Sequence, residues 1–362
     1  MKQSQNIIDN KPTIGLTCSY VPEEILVAAR TIPFRIHGNT NPPELATSYL
    51  PANFCPYVLS CLDCGLKKEY SFLDGIIIAN SCNAMRRLYD VWRHSVDTKF
   101  IYMLDVPKSK DKGAEVYFKH CLSKMVEAIE RNFRIKIQDK DLNEAIITCN
   151  ETRELVNELN RIRQNYDISI SAKEIYNSFQ ESKTLPKEEA NKKLRTFVNN
   201  LKIKSVPSSN LNSKVKILIT GSFHNPADLI TYIEQSGAKV MFEDVCTSGR
   251  YLSEKIETSN TPLESIAHFY INKSPCARMV NAEDRFNYIL KLVKDYKIDG
   301  IIYYALKFCD THLLDLPFLR ERLSKVNIPL LFLEGDSLQP TSGQIKTRIK
   351  AFLEMFNCKQ AE

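Results

Sequence analysis

Short apolar runs alternate with amphipathic stretches over the first hundred residues of the chain. Continuous β-branched or apolar runs at residues 74–79 (DGIIIA) and 100–105 (FIYMLD) are typical of strands covered on both faces in a parallel sheet. Shorter runs at residues 13–18 and 32–36 predict two further strands, with a short amphipathic helix opened by Pro22 between them. The pattern therefore predicts a sheet whose strands are separated by helices.

The middle of the chain differs from the first hundred residues in the spacing of its apolar positions. From about residue 112 to residue 202 the apolar positions lie three and four apart, which predicts a helical segment. The polar stretch SVPSSNLNSK at residues 205–214 then predicts a linker. We therefore expect an N-terminal α/β domain at residues 1–204, which includes the helical segment, and a C-terminal α/β domain at residues 215–362.

A second alternation of strands and helices follows the predicted linker. Helices fill the intervals between its strands, and a last helix starts at about Ser342. The strands are predicted at residues 215–219, 240–242, 300–304 and 329–333. Such alternation predicts parallel, doubly wound sheets, so the fold class is α/β, with two Rossmann- or flavodoxin-like domains and a helical insert. In open parallel sheets, ligands bind beyond the carboxyl ends of the strands.

Composition and charge exclude several classes of protein. Hydrophobic residues make up 43% and charged residues 25%, which is typical of a folded chain rather than a disordered one. The net charge of +6 is mild. The sequence has no dense basic stripe with interleaved aromatic residues, so nucleic-acid binding is not predicted. No apolar run reaches the roughly 20 residues that span a bilayer. The first residues lack the apolar core of a secretory signal, so we expect a cytoplasmic protein without a membrane partner.

The chain contains 11 cysteines, which a reducing cytoplasm would keep as thiols. Three of them stand where ligands usually bind in parallel sheets. Cys82 and Cys309 each follow a predicted strand and precede a helix, and Cys55 lies in a Pro-flanked loop that opens a helix. Helix N-termini lower the pKa of a nearby thiol and favour the metal-binding thiolate. Core packing is the alternative for any single cysteine, but the three positions together favour a metal site between the domains.

A C-x-x-C pair, Cys61 and Cys64, follows Cys55 closely. Three-residue spacing on a helix places both thiols on one face. A structural zinc site made of these two cysteines with Cys55 and Cys82 is an alternative, although a second closely spaced ligand pair is missing. The run of closely spaced cysteines found in bacterial ferredoxins is also absent, so a cluster needs ligands that the fold brings together.

Several segments resemble successive blocks of one enzyme family. They are IGLTCSYVPEEILVAARTIPFRIHG, LPANFCPYVLSCLDCGL, YSFLDGIIIANSCNAMRRLYDVW, INKSPCARMVNAEDRFNYILKLVKDYKIDGIIYYALKFCDTH and IPLLFLEGDSLQPTSGQIKTRIKAFLEM. Together they are similar to subunits of the 2-hydroxyacyl-CoA dehydratase and benzoyl-CoA reductase family. The resemblance covers most of both predicted sheets and skips the helical middle. Two positions depart from the family pattern: Arg30 stands where glycine is common, and Asn83 where an acidic residue is frequent.

The resemblance implies one 4Fe-4S cluster held by three thiolates, which here match Cys55, Cys82 and Cys309. Cys276 and Cys18 are reserve ligands. Glu24 is a candidate for acid–base chemistry near the cluster, with a structural carboxylate in the first turn of a helix as the simpler alternative.

The resemblance also implies a lyase of anaerobic metabolism. In this family, a one-electron-reduced ketyl form of a 2-hydroxyacyl-CoA loses its hydroxyl group. A separate ATP-hydrolysing iron–sulfur activator delivers the electron, and a homologous subunit or a second copy completes a dimer. The absence of a G-x-x-x-x-G-K-S/T loop from this sequence agrees with a separate ATPase.

Three other functions remain open. A benzoyl-CoA reductase-type subunit uses a similar chain. A reductase of small molecules with an 8Fe-9S double cubane cluster is suggested by the surplus cysteines, which are Cys18, Cys61, Cys64 and Cys276. A structural partner subunit without catalytic activity is an alternative of another class.

Overall fold

A computed structural model of the chain describes residues 11–167, 172–204, 206–207, 214–223, 225–251, 254–336, 338 and 342–358. The strands are β1 Thr13–Leu16, β2 Ile32–Arg35, β3 Gly75–Asn80, β4 Phe100–Asp105, β5 Tyr166–Asp167, β6 Val206–Pro207, β7 Lys216–Gly221, β8 Lys239–Asp244, β9 Gly300–Leu306 and β10 Leu330–Gly335. The helices are α1 Glu23–Ala28, α2 Pro56–Leu66, α3 Asn83–Ser95, α4 Lys112–Phe133, α5 Asp139–Asn165, α6 Ala172–Ser182, α7 Lys187–Lys204, α8 Ala227–Gln235, α9 Pro262–Asn272, α10 Ala282–Asp295, α11 Asp310–Lys325 and α12 Gly343–Cys358.

Two four-stranded sheets form the centre of the protein. The first has the strand order β2-β1-β3-β4 and the second has the order β10-β9-β7-β8. Every pair of neighbouring strands within these two sheets is parallel. Strands β3 and β9 are inner strands and are buried almost throughout, as their continuous apolar runs predict. The predicted α/β class with two parallel, helix-flanked sheets is confirmed.

One apolar core extends across both sheets. Alternate residues of β3, such as Ile76 and Ile78, face α2 and α3, while Ile217 and Ile219 of β7 face α8 and α12, and all of these residues belong to one cluster. The opposite face of the first sheet packs on α1, α4 and α5. The opposite face of the second sheet packs on α10 and α11. Because the first cluster is continuous, the two sheets are fixed against each other at their shared side.

The predicted helical segment is confirmed as α4 to α7, with β5 and β6 forming a two-stranded antiparallel pair beside it. Helix α9 comes after β8 in the chain but packs with α4 in the core of the first sheet. Most of the predicted linker at residues 205–214 lies outside the described residues, so the domain boundary stays a prediction. No helix among the residues placed by the structure is long and apolar enough to cross a bilayer.

Arg30, which stands where the resembled family commonly has glycine, has the backbone conformation that glycine favours. It follows α1 with a φ of 56°, the left-handed region in which glycine is most comfortable, and its N–H donates to Val27 O at 2.9 Å. Helices commonly end with a glycine in this conformation. Arg30 therefore adopts the backbone shape that glycine would favour, at the steric cost of a side chain.

Gly221, the last residue of β7, has no room for a side chain. Its φ is +136°, and a Cβ atom there would lie 1.9 Å from Tyr304 O on the neighbouring strand β9. Gly237 also has a positive φ, of +93°, but no atom lies within 4 Å of its Cβ position. A side chain at Gly237 would therefore meet backbone strain alone, whereas a side chain at Gly221 would also overlap the neighbouring strand.

We expect Gly221→Ala to lower the free energy of unfolding by about 3 kcal/mol or more, because β7 and β9 must separate to admit the methyl group. Gly237→Ala is the matched control and should lose about 1–2 kcal/mol, because only backbone strain applies. Urea denaturation of both variants measures the difference. Equal losses would show that β7 and β9 are not closely paired at Gly221.

Candidate metal centre

Three helices begin at a cysteine on the same side of the protein. Cys55 is the N-cap residue of α2, Cys82 is the N-cap residue of α3 directly after β3, and Cys309 is the N-cap residue of α11 directly after β9. Two of the helices belong to the first sheet and one to the second. The structure thus places these cysteines at helix N-termini, as the sequence predicts.

The three thiols lie together. The Cys309 thiol shares a hydrogen bond with Cys55, and Cys82 interacts electrostatically with Cys309. All three side chains border the continuous core that joins the two sheets. The sheets therefore bring together cysteines that are up to 254 positions apart in the sequence (Cys55 to Cys309).

The pKa is raised above its usual value in two of the thiols, those of Cys82 and Cys309. The hydrogen bond to Cys55 and then burial raise the pKa of Cys309 well above its usual value. Burial raises the pKa of Cys82, although the backbone N–H groups of Met85 and Ala84 act to lower it. The prediction that helix N-termini lower the pKa of these thiols is wrong for Cys82 and Cys309. Backbone N–H groups do act in that direction, but the contact with Cys55 and burial outweigh them at Cys309, and burial outweighs them at Cys82.

The donor set is of the kind that binds iron–sulfur clusters. Among the described residues, no group of three His, Cys, Asp or Glu side chains is placed so that it could hold a metal ion. A zinc ion needs ligands within about 2.3 Å of its centre, whereas a cubane is larger and holds its thiolates further apart. The assignment of Cys55, Cys82 and Cys309 as ligands stays a prediction.

A second group of cysteines lies beside the first. Cys246 interacts electrostatically with Cys276 and Cys18, and Cys18 also interacts with Cys82. Arg35 Nη2 lies 3.9 Å from Cys246 Sγ. This group contains both reserve ligands of the sequence analysis and one cysteine that it missed. The additional cysteine, Cys246, stands two residues after β8. Ligands bind beyond the carboxyl ends of parallel strands, and this principle, which selected Cys82, applies equally to Cys246.

A guanidinium group also contacts Cys276. Arg250 Nη1 lies 3.7 Å from Cys276 Sγ, and its Nε donates to Asp244 Oδ1 at 2.9 Å. Arg285 Nη1 donates to Asp244 Oδ2 at 3.2 Å, and its Nε donates to Asp315 Oδ2 at 2.8 Å. This buried chain of charges connects the loop of Cys276 to helix α11, which Cys309 begins.

The C-x-x-C pair lies in the core. Cys61 and Cys64 are fully buried in α2, and burial raises the pKa of both thiols, that of Cys64 to about 12. A hydrogen bond with Tyr57 lowers the pKa of Cys61, but by less than burial raises it. Both side chains pack within α2 against the core of the first sheet, which indicates a packing role.

Glu24 is held in a buried ion pair. Its Oε1 accepts from Arg153 Nη2, and its Oε2 accepts from the Tyr270 hydroxyl at 2.9 Å. The carboxylate is completely buried, and Arg153 is 4% exposed. Both oxygens therefore have partners that belong to helices α5 and α9. The predicted acid–base role of Glu24 stays a prediction, and its contacts are those of a residue that joins α1 to these helices.

Most of the chain matches a known protein family. The sequence model of the 2-hydroxyglutaryl-CoA dehydratase D-component matches residues 18–356. That range includes both groups of cysteines and both sheets. The chain belongs to this family. The resemblance seen in the sequence is thereby confirmed, and the matched range also includes the helical middle that the resemblance skipped.

Similar proteins of this dehydratase family are subunits of larger enzymes. The chain is 26% identical to the (R)-phenyllactyl-CoA dehydratase beta subunit of Clostridium sporogenes, over 94% of this chain and 91% of that protein. It is 27% identical to one of the subunits of the benzoyl-CoA reductase of Thauera aromatica, over 86% and 82%. It is 21% identical to the (R)-2-hydroxyglutaryl-CoA dehydratase beta subunit of Acidaminococcus fermentans, over 95% and 92%. The general class, a dehydratase- or reductase-type subunit, follows from these likenesses.

We expect Glu24→Gln to lower the free energy of unfolding by about 3–5 kcal/mol, because Arg153 would stay buried without a counter-charge. Glu127→Gln is the matched control, since Glu127 pairs with Lys124 at 3.0 Å on the exposed face of α4 and exposed pairs contribute little. Thermal and urea denaturation compare the two variants. A Glu24→Gln protein as stable as its control would mean that the ion pair does not join α1 to α5.

Proposed function

We propose that this chain is the iron–sulfur subunit of a radical-type 2-hydroxyacyl-CoA dehydratase. Cys55, Cys82 and Cys309 are the residues that would hold a 4Fe-4S cluster. The observation that carries the proposal is the meeting of three thiols at three helix N-termini from both sheets. A bound cluster would supply a low-potential electron for the thioester carbonyl of the substrate.

The chain's own residues favour this chemistry in two ways. The N–H groups of Ala84 and Met85 favour the thiolate form of Cys82, and the N–H of His312 favours that of Cys309. Burial restricts access of water, which would otherwise quench a substrate radical. The expected reaction removes the 2-hydroxyl and a β-proton from the acyl-CoA as water and returns the electron after each turnover.

The proposal includes two protein partners. One is a homologous subunit or a second copy of this chain, which the subunit names of its relatives support. The other is an ATP-hydrolysing iron–sulfur activator. The family resemblance implies it, and the absence of a G-x-x-x-x-G-K-S/T loop from this sequence agrees with a separate ATPase. Coupling ATP hydrolysis to electron transfer requires two states with different ligand affinity, which a separate mobile donor provides.

We expect Cys82→Ala to abolish the iron–sulfur absorbance and the dehydration of 2-hydroxyacyl-CoA together, because one of three thiolate ligands is lost. Anaerobic protein is assayed with its partner subunit, activator and ATP, and iron and acid-labile sulfide are counted. Cys61→Ala is the matched control, since Cys61 is buried in α2 with a raised pKa, and it should keep both signals. Dehydration that survives Cys82→Ala would remove the cluster from the mechanism.

A second candidate function is reduction of small molecules by an 8Fe-9S double cubane. The observation that favours it is the second group, Cys18, Cys246 and Cys276, which lies beside the first group. Six thiols in two adjacent groups would provide three ligands for each of two linked cubanes. The neighbouring cations Arg35 and Arg250 would offset the negative charge of such a cluster.

The iron content separates the two candidates. A single cubane gives about four irons per chain, and a double cubane gives about eight. If the second candidate is correct, Cys246→Ala should reduce the count from about eight to about four and leave the iron at Cys82. Cys149→Ala is the control, because Cys149 is buried with a pKa raised well above its usual value. A count of about four that Cys246→Ala does not change excludes the double cubane.

A further inference from the structure

A small cavity, partly open to solvent, lies next to the second group of cysteines. Three of its lining residues, Arg35, Lys183 and Lys273, are buried cations, and we call this space the cationic cavity. The three come from different parts of the chain: Arg35 ends β2, Lys183 follows α6, and Lys273 follows α9. The thiols of Cys18 and Cys246 line the same space.

The other charges at the cavity are paired. Arg153 is paired with Glu24, and Glu23 with Lys187, whose Nζ lies 2.5 Å from the Glu23 carboxylate. In contrast, Arg35, Lys183 and Lys273 have no carboxylate within ion-pair distance among the residues that the structure places. Three basic side chains at the cavity therefore have no carboxylate to balance them when they are protonated.

Neutral groups hold the three cations in place. Lys183 Nζ donates to Thr247 O at 2.6 Å, and Lys273 Nζ donates to Ser19 O. Arg35 contacts the Cys246 sulfur through Nη2, but its Nε and Nη1 have no hydrogen-bond partner although they are buried. The guanidinium of this lining residue thus has two unused, buried donors.

Such an arrangement is costly without a counter-ion. Burial of a charged group in a protein costs several kcal/mol unless another charge or hydrogen bond offsets it. The cost is visible in the lysines, since burial lowers the pKa of Lys183 well below its usual value and that of Lys273 to about 8. An anion in the cavity would restore the charged forms and use the free donors of Arg35.

We propose that the cationic cavity binds a compact anion of at least two negative charges through Arg35, Lys183 and Lys273. Its small volume and aromatic walls, which include Tyr251 and Phe269, favour a compact group over an extended one. Two sources share this chemistry: a free oxyanion such as phosphate or sulfate, and an anionic iron–sulfur cluster on Cys18 and Cys246. The inference rests on the side chains of the cavity and does not require that the chain bind iron.

Isothermal titration calorimetry with phosphate and sulfate, with acetate as a monovalent comparison, tests the free-oxyanion source. The protein is purified anaerobically and its iron is counted before titration. We expect one dianion per chain, with acetate binding more weakly. Arg35→Gln should weaken binding about tenfold or more, because it removes a charge-assisted hydrogen bond, and Arg35→Lys should weaken it less. Arg131→Gln, on the exposed surface of α4, is the matched control and should leave binding unchanged.

The iron count tests the cluster source in the same preparations. If the chain holds about eight irons and no phosphate binds, Arg35→Gln and Lys183→Met should each lose about four irons, which upholds the proposal with the cluster as the anion.

Circular dichroism shows whether each variant is folded, and Arg35→Lys provides a mild substitution. The proposal is wrong if folded protein with about four irons or fewer binds neither phosphate nor sulfate. It is also wrong if eight irons persist in both variants. Phosphate binding by iron-free protein would uphold the proposal independently of the proposed function.

Discussion

Tyr57 and Phe223 stack with ring centroids 3.7 Å apart, one at the start of α2 and the other just after β7. The Tyr57 hydroxyl also lies 3.1 Å from Thr17 O, which follows β1, and 2.9 Å from Ile36 O, which follows β2. The stack is part of the core that runs across both sheets. Because this contact fixes the strand ends of one sheet against those of the other, every arrangement of thiols and charges described above depends on it.

Charge burial is the second constraint on this region. Asp244 is completely buried and accepts from both Arg250 and Arg285, and Asp315 and the Tyr303 hydroxyl extend the same network. Tyr303 in turn lies 2.8 Å from the ring of His312, in the first turn of α11. A buried pair is stabilising only when its hydrogen bonds are satisfied. The network meets that condition, and it ties the loops of Cys276 and Cys309 to a common carboxylate.

These two constraints act at the edges of the sheets where the thiols are gathered. Parallel strands place their carboxyl ends, and the helix N-termini that follow, at one edge of each sheet. Two such edges face each other here, so backbone N–H groups and thiols meet where an anionic cofactor would bind. The cationic cavity adds side-chain charge at the same place. The relatives of this chain are subunits of acyl-CoA dehydratases and a reductase.

The sequence by itself determined the fold class and the strand-end positions of Cys55, Cys82 and Cys309. Local periodicity defines elements such as β3 and β9, and the rule for parallel sheets depends on element order alone. It did not find Cys246, although the same rule applied, and it assigned Glu24 a role without showing its partner Arg153, 129 positions away. Only the tertiary structure decided the pairing of charges, the isolation of Arg35, Lys183 and Lys273, and the direction of the thiol pKa shifts. The physical reason is that burial and ion pairing depend on residues distant in sequence, whereas periodicity depends on neighbours.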